Sequence, residues 1–226
     1  MTNKSEVAYS LLEQMITFRE LEPGSMVSES QLMKLTDLGR TPIREALQKL
    51  SAEKMIEIHP RKGILIPLMS VEVQLKLLEV RRTLEEQAVR FAVHRSTIIQ
   101  KDEMLHLAEQ LLRSETYTDP KQYGETLKKV HRAIADSTQN EYLTMAILPL
   151  QGLSRRFWFA HMQSAEREFK IAGKLHGATL KSICHGDEVE AAKASLAVND
   201  YLTEFAYHSI RRTPNITPSG ITPYSE

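Results

Sequence analysis

Within the first 70 residues, short helical periodicities give way to a pair of strand-like stretches around a basic turn, and few folds accommodate that order. Val7, Leu11, Leu12, Met15 and Phe18 recur at helical spacing and predict a helix over residues 5–19. Glu22-Pro23-Gly24-Ser25 reads as a turn. Ser28 with Gln31 three residues on has the form of a capping box, opening a short helix over 29–35. Asp37-Leu38-Gly39 breaks it. A third helix starts near Thr41, with Pro42 in its first turn and Ile43, Ala46, Leu47 and Leu50 turned inward. Residues 55–59 and 64–66 read as strands flanking Pro60-Arg61-Lys62-Gly63.

Helix, helix, turn, helix and a two-strand hairpin with a basic tip is the element order of a winged helix-turn-helix. Pro67 ends the wing and Ser70 can cap the next helix, so a boundary is expected over 67–71. The remainder predicts helices only: 70–94, 97–114, 119–138, a segment from Asn140 interrupted at Pro149, 164–185 ending at Gly186, and 187–211. The expected organisation is a winged segment (1–69), an all-α six-helix bundle (70–212) and a flexible tail (213–226) with three prolines. The fold class is mainly α.

Charge supplies a restriction. The chain has formal net charge +0, and its first 70 residues balance nine Lys and Arg against nine Asp and Glu. A generally basic nucleic-acid coat is therefore excluded. Between Arg40 and Lys62, however, Arg40, Arg44, Lys49, Lys54, Arg61 and Lys62 face only Glu45, Glu53 and Glu57. Any DNA affinity must come from that small face, or from two such faces in a dimer. The N-terminal end of a third helix in this arrangement enters the major groove. Arginine there offers a bidentate fork to guanine or phosphate, and threonine a hydroxyl to phosphate. A solvated, charged helix is the plainer reading of those side chains taken alone.

No apolar run reaches the roughly 18 residues a membrane span needs. The N-terminus lacks the pattern of a secretion signal, and the single Cys184 rules out both an internal disulfide and a CxxC metal motif. A cytoplasmic protein with no membrane partner is expected.

The stretches Leu21-Glu22-Pro23-Gly24, Ser28-Glu29-Ser30-Gln31-Leu32 and Gly39-Arg40-Thr41-Pro42-Ile43-Arg44-Glu45-Ala46-Leu47, with Gly63 beyond them, closely resemble the GntR family of bacterial repressors. The resemblance implies that Arg40, Thr41, Arg44 and the wing residues Arg61, Lys62 and Gly63 contact double-stranded operator DNA. Ser28, Pro42 and Lys49 complete the candidate set. Two positions depart from the family: Gly39 stands where Ser is usual, losing a hydroxyl, and Ser30 where a basic residue is frequent.

Glu79-Val80-Arg81-Arg82-Thr83-Leu84-Glu85 resembles the start of the FadR subfamily's effector domain, often called FCD, and about 140 residues suit its shorter, VanR-like six-helix variant. This implies a homodimer through the helical part and a small-molecule effector, a carboxylate metabolite, regulating a repressor. Several such domains hold a divalent metal on one Asp and three His. His131 and His176 match two of those His, the third falls on Asn199, and the Asp falls on Leu127. A divalent ion (Zn or Ni) in a degenerate site on His131 and His176 stays open, as does direct binding of an organic ligand. His131, His176 and Asn199 each lie on an apolar helical face and can converge on one cavity, or each can be a hydrogen-bonded core residue. Arg81 lies on an apolar stripe and needs an anion, either Glu85 one turn on or an effector carboxylate. Arg155, Arg156, Trp158 and His161 form a further cluster that lines the pocket or belongs to an ordinary amphipathic helix. No GxSxG, HExxH, P-loop or dinucleotide motif is present, so an enzyme is not expected.

Overall fold

The computed structural model describes residues 3–113, 117 and 119–210. The expected tail over 213–226 and the helix-end residues 114 and 211 lie outside the described residues. Helix α1 (Lys4–Thr17) is followed by β1 (Met26–Val27), α2 (Glu29–Thr36), α3 (Arg40–Ala52), β2 (Glu57–His59) and β3 (Gly63–Leu65). Six helices come next among the described residues: α4 (Val71–Arg95), α5 (Ile98–Leu112), α6 (Pro120–Ser137), α7 (Glu141–His161), α8 (Ala165–His185) and α9 (Glu188–Ile210).

Helix starts follow local chemistry. Ser28 with Gln31, and Thr97 with Gln100, form reciprocal capping boxes. Ser70, Asp119, Asn140 and Ser164 accept backbone N–H bonds at their own helix starts. Gly186 ends α8 at φ +80°, a left-handed conformation that favours glycine.

The wing has a strand the sequence pattern did not signal. The sheet order is β1-β3-β2, antiparallel throughout, with Met26 opposite Leu65, Val27 opposite Ile64 and Ile58 opposite Ile64. A two-residue strand carries no period to detect, and its partner lies in a distant part of the chain. Its presence fixes Gly63, which sits at φ +119° and would bring a Cβ within 2.8 Å of the Val27 carbonyl oxygen.

The expected interruption at Pro149 is also corrected, because α7 runs unbroken from Glu141 to His161. Pro149 removes the N–H that would bond the carbonyl four residues back. Met145 is exposed and lines an open cleft together with Leu148 and Pro149, so that turn has solvent access. Packing of α7 on α1, α4, α6 and α9 holds the rest.

Two apolar cores result. One fills the bundle, where α4 packs on α9, α5 on α8 and α8 on α9. The other lies under the wing and takes in Leu77 of α4 and Leu153 of α7. The N-terminal segment therefore packs into the bundle as well as onto itself. Phe18 packs against Phe159 with the rings tilted and their centroids 4.7 Å apart, and a Cβ on Gly124 would lie 2.6 Å from the Phe18 ring. Arg156 donates to the carbonyls of Met55 (3.3 Å) and Pro67. No helix among the described residues is long and apolar enough to cross a membrane.

Candidate nucleic-acid interface and internal cavity

Helix α3 begins at Arg40 with Gly39 as its N-cap, and no side chain caps it. Its first turn holds no acidic residue. The unbonded N–H groups and the positive end of the helix dipole therefore face outward uncompensated, which suits phosphate. Arg40 and Thr41 are exposed there, and Arg40 has no partner among the described residues.

One turn on, exposed Arg44 directs Nε at both oxygens of Glu29, 3.0 Å from each. A groove runs from Ser28 and Glu29 past Arg44, Leu47 and Gln48 to the wing residues His59, Pro60, Arg61, Lys62 and Gly63. Arg61 takes a left-handed φ of 65°, and Lys62 N–H closes the turn on the His59 carbonyl at 3.1 Å. Both basic side chains stand exposed at the tip, unpaired among the described residues. Seven candidates thus gather on one face: Arg40 and Thr41 at the helix start, and Ser28, Arg44, Arg61, Lys62 and Gly63 along the groove. Pro42 is half-buried in the first turn of α3. Gln48 and His59 also line the groove, and no charge pattern marked them.

Lys49 is placed elsewhere. It lies about 140° round the helix from Arg44 at 3.6 residues per turn. Its ammonium sits 3.9 Å over the Tyr9 ring and 3.3 Å from Glu6. It lines the cleft between α1 and the bundle, not the groove beside the wing.

Inside the bundle, His131 of α6 and His176 of α8 come together with ring centroids 5.4 Å apart. The Nδ1–H of His176 donates to the Ala172 carbonyl at 2.9 Å, which fixes the tautomer and leaves Nε2 as an acceptor. His131 is 5 % exposed, and neither ring nitrogen has a partner among the described residues. Burial and the neighbouring His176, Arg81 and Arg155 hold it well below the ordinary imidazole value of 6.5. Burial also lowers His176, against the Ala172 carbonyl and Glu85, which raise it. Both rings are neutral at pH 7.

Asn199 does not join them, because its Nδ2 donates to the Leu78 carbonyl at 3.2 Å. Arg81 is 1 % exposed and paired with Glu85 at 2.6 Å, and Gln151 donates to the same carboxylate oxygen at 2.8 Å. The anion that Arg81 requires is therefore its helical neighbour.

This donor set does not fit the site of one Asp and three His that the resemblance implies. Leu127 offers no ligand atom, Asn199 is committed to backbone, and two imidazoles without a carboxylate make an incomplete first shell. Among the described residues no group of three or more His, Cys, Asp or Glu is placed to hold an ion.

The cluster on α7 is not an ordinary amphipathic surface. Arg155, Arg156 and Trp158 are all buried. Arg155 pairs with Glu13 of α1, which also takes a 2.5 Å bond from Lys128 of α6. Glu13 lies one residue past Leu12 on the apolar side of α1, so its burial has a faint signal in sequence. Its partners, 115 and 142 positions away, have none.

Comparison with known proteins places these features. Residues 4–66 match the family described as bacterial regulatory proteins, gntR family, and residues 76–200 match the FCD domain. The chain is 29% identical over 141 residues to the Nta operon transcriptional regulator of Aminobacter aminovorans, covering 61% of this chain and 64% of that protein. It is 27% identical over 165 residues to the HTH-type transcriptional repressor GlaR of Escherichia coli strain K12, covering 70% and 74%. Among solved structures, E. coli McbR/YncC superposes with a TM-score of 0.78 at 18% identity, over 93% of this chain and 100% of that one. A putative transcriptional regulator GntR from Rhodococcus sp. RHA1 gives 0.68 at 19%, over 94% and 100%. These superpositions establish a shared fold. The matched families and named relatives are regulators, not enzymes.

Proposed function

The chain belongs to the gntR family of bacterial regulatory proteins and carries an FCD domain, and we propose on that basis that it is a DNA-binding transcription regulator, a repressor controlled by a small-molecule effector. The observation that carries the reading is the uncapped, unneutralised start of α3 beside an unpaired basic wing tip. Arg40 and Thr41 enter the major groove with the helix start. Arg61 and Lys62 reach the adjacent groove or its phosphates. Arg44 reads a base or phosphate by exchanging Glu29 for DNA, which a solvent-exposed pair gives up at a cost of about 0–1 kcal/mol.

Repression is the sense of control carried by the relative named a repressor. A homodimer supplies two winged faces for two half-sites. The exposed Val73 and Val80, two helical turns apart on α4, favour the bundle as the joining surface. The effector acts by binding one relative placement of winged segment and bundle better than another.

Fluorescence anisotropy with a duplex covering the DNA upstream of the protein's own gene tests the proposal. Selective, salt-sensitive binding is expected, and Arg44→Ala weakens it by roughly 1–3 kcal/mol if a base is read. Equal affinity for that duplex and a shuffled one overturns the reading.

A further inference from the structure

A cleft of about 460 Å³ opens between α1 and α3 on one side and α6 and α7 on the other. That volume is in the range of small-molecule sites. Its charged groups are two acids, Glu13 and Glu53, and four bases, Lys49, Lys128, Arg132 and Arg155. Glu53 is engaged with the Tyr9 hydroxyl, which donates to it at 2.7 Å. Met145, Leu148 and Pro149 form an apolar wall. His131 also lines the cleft, with both ring nitrogens unpartnered among the described residues.

Glu13 is 4 % exposed. Its two oxygens are divided between two cations of the bundle: Arg155 Nη2 bonds Oε1, and Lys128 Nζ bonds Oε2. Burial pushes the carboxyl up, but Arg155 and Lys128 outweigh it and hold the group below its ordinary value. Arg155 and Lys128 therefore form a complete recognition site for one carboxylate, filled by a residue of the N-terminal segment. Arg155 also borders the inner space around His131, His176 and Trp158. A buried guanidinium cannot be left without an anion, so Glu13 can leave only if another anion arrives.

We propose that Glu13 is a built-in carboxylate ligand. A free small carboxylate with an apolar body takes its place on Arg155 and Lys128, which releases α1 from the bundle. The proposal rests on the reading of the bundle as an effector domain and supplies that reading's binding site and route of control. The carboxylate sits on the two cations, its body lies on the wall made by Met145, Leu148 and Pro149, and the His131 ring is open to a polar substituent. Exchange replaces a contact within the chain by one to a ligand, so the winged segment loses an anchor. By reciprocity, whatever favours the released placement raises ligand affinity by the same factor.

Trp158 is the chain's single tryptophan and lies three residues from Arg155, so its fluorescence reports the site. The full-length chain is titrated with sodium benzoate, and with benzamide as the uncharged control. Glu13→Gln is expected to bind benzoate at least tenfold more tightly than wild type, with benzamide unchanged. Adding Lys128→Met is expected to cancel the gain. Equal benzoate affinity in wild type and folded Glu13→Gln, or an equal gain for benzamide, overturns the proposal. Should Glu13→Gln fail to fold, hydrogen exchange of α1 in wild type decides. Benzoate, but not benzamide, is expected to speed exchange over residues 4–17 several-fold, and unchanged exchange at saturating benzoate overturns the proposal. Neither measurement uses DNA. Failure here with selective duplex binding intact removes the exchange alone, whereas loss of selective binding removes the regulator reading.

Discussion

Arg81 and His131 are both buried polar groups, and they stand at opposite ends of satisfaction. Arg81 is held by Glu85, which Gln151 also bonds. Removing one partner of a buried pair leaves the other charge uncompensated, so Arg81→Met is expected to cost about 3–5 kcal/mol in urea denaturation. His131 has no partner among the described residues and stays neutral. Its folded-state proton affinity is lowered, so the unfolded chain binds more protons as pH falls below about 6.5. The stabilisation is complete above that value and is lost on acidification towards the folded-state value. Melting curves from pH 7.5 down to 5 are expected to show Tm falling below 6.5, and less steeply in His131→Phe. A parallel fall in both proteins would place the effect elsewhere. The residue types were legible in the sequence: His131, His176 and Arg81 stood on apolar stripes. Their partners were not. Glu85 lay within one helix turn and could be named as an alternative, whereas Leu78 as the acceptor for Asn199 depends on how α4 meets α9.

Helix boundaries were the most legible part of the fold, because capping is settled within a few residues. Ser28 with Gln31 and Thr97 with Gln100 show in the chain as they do in space. Strand β1 and the continuity of α7 across Pro149 were not legible, since each depends on contacts from other elements. Close helix approach is another such property. Gly173 of α8 lies so near α5 that a Cβ would stand 2.4 Å from the Leu111 carbonyl oxygen. Backbone cannot yield as a side-chain tip can, so Gly173→Ala is expected to force α5 and α8 apart and destabilise by about 1–3 kcal/mol. Chemical denaturation measures it, and a neutral result would show that the two helices slide freely. In the wing, Gly63→Ala meets both a positive φ and the Val27 carbonyl. A cost of about 1–3 kcal/mol and weaker duplex binding are expected, read by denaturation and anisotropy on the same sample.

Across the molecule as a whole, the winged segment and the bundle share side chains through α1, α6 and α7. Charge alone did not distinguish Lys49 from its neighbours as a DNA candidate, and the fold turns it toward Tyr9 and Glu6. Salt titrations of duplex binding separate the roles. Arg40→Ala and Lys62→Ala are each expected to reduce the salt slope by about 1, and Lys49→Ala to leave it unchanged. A reduced slope for Lys49→Ala would return that residue to the interface. The order of the helices and of the wing hairpin, the helix caps, the helix start near Arg40 and the inward faces carrying the two imidazoles are written in the chain itself. Those are properties of period and of neighbours within a turn or two. Packing alone settled that Asn199 is spent on backbone and that Glu13 is locked between Arg155 and Lys128. A charge is defined by what surrounds it. Burial and an opposite charge at bonding distance are set where distant helices meet, and no local pattern encodes them.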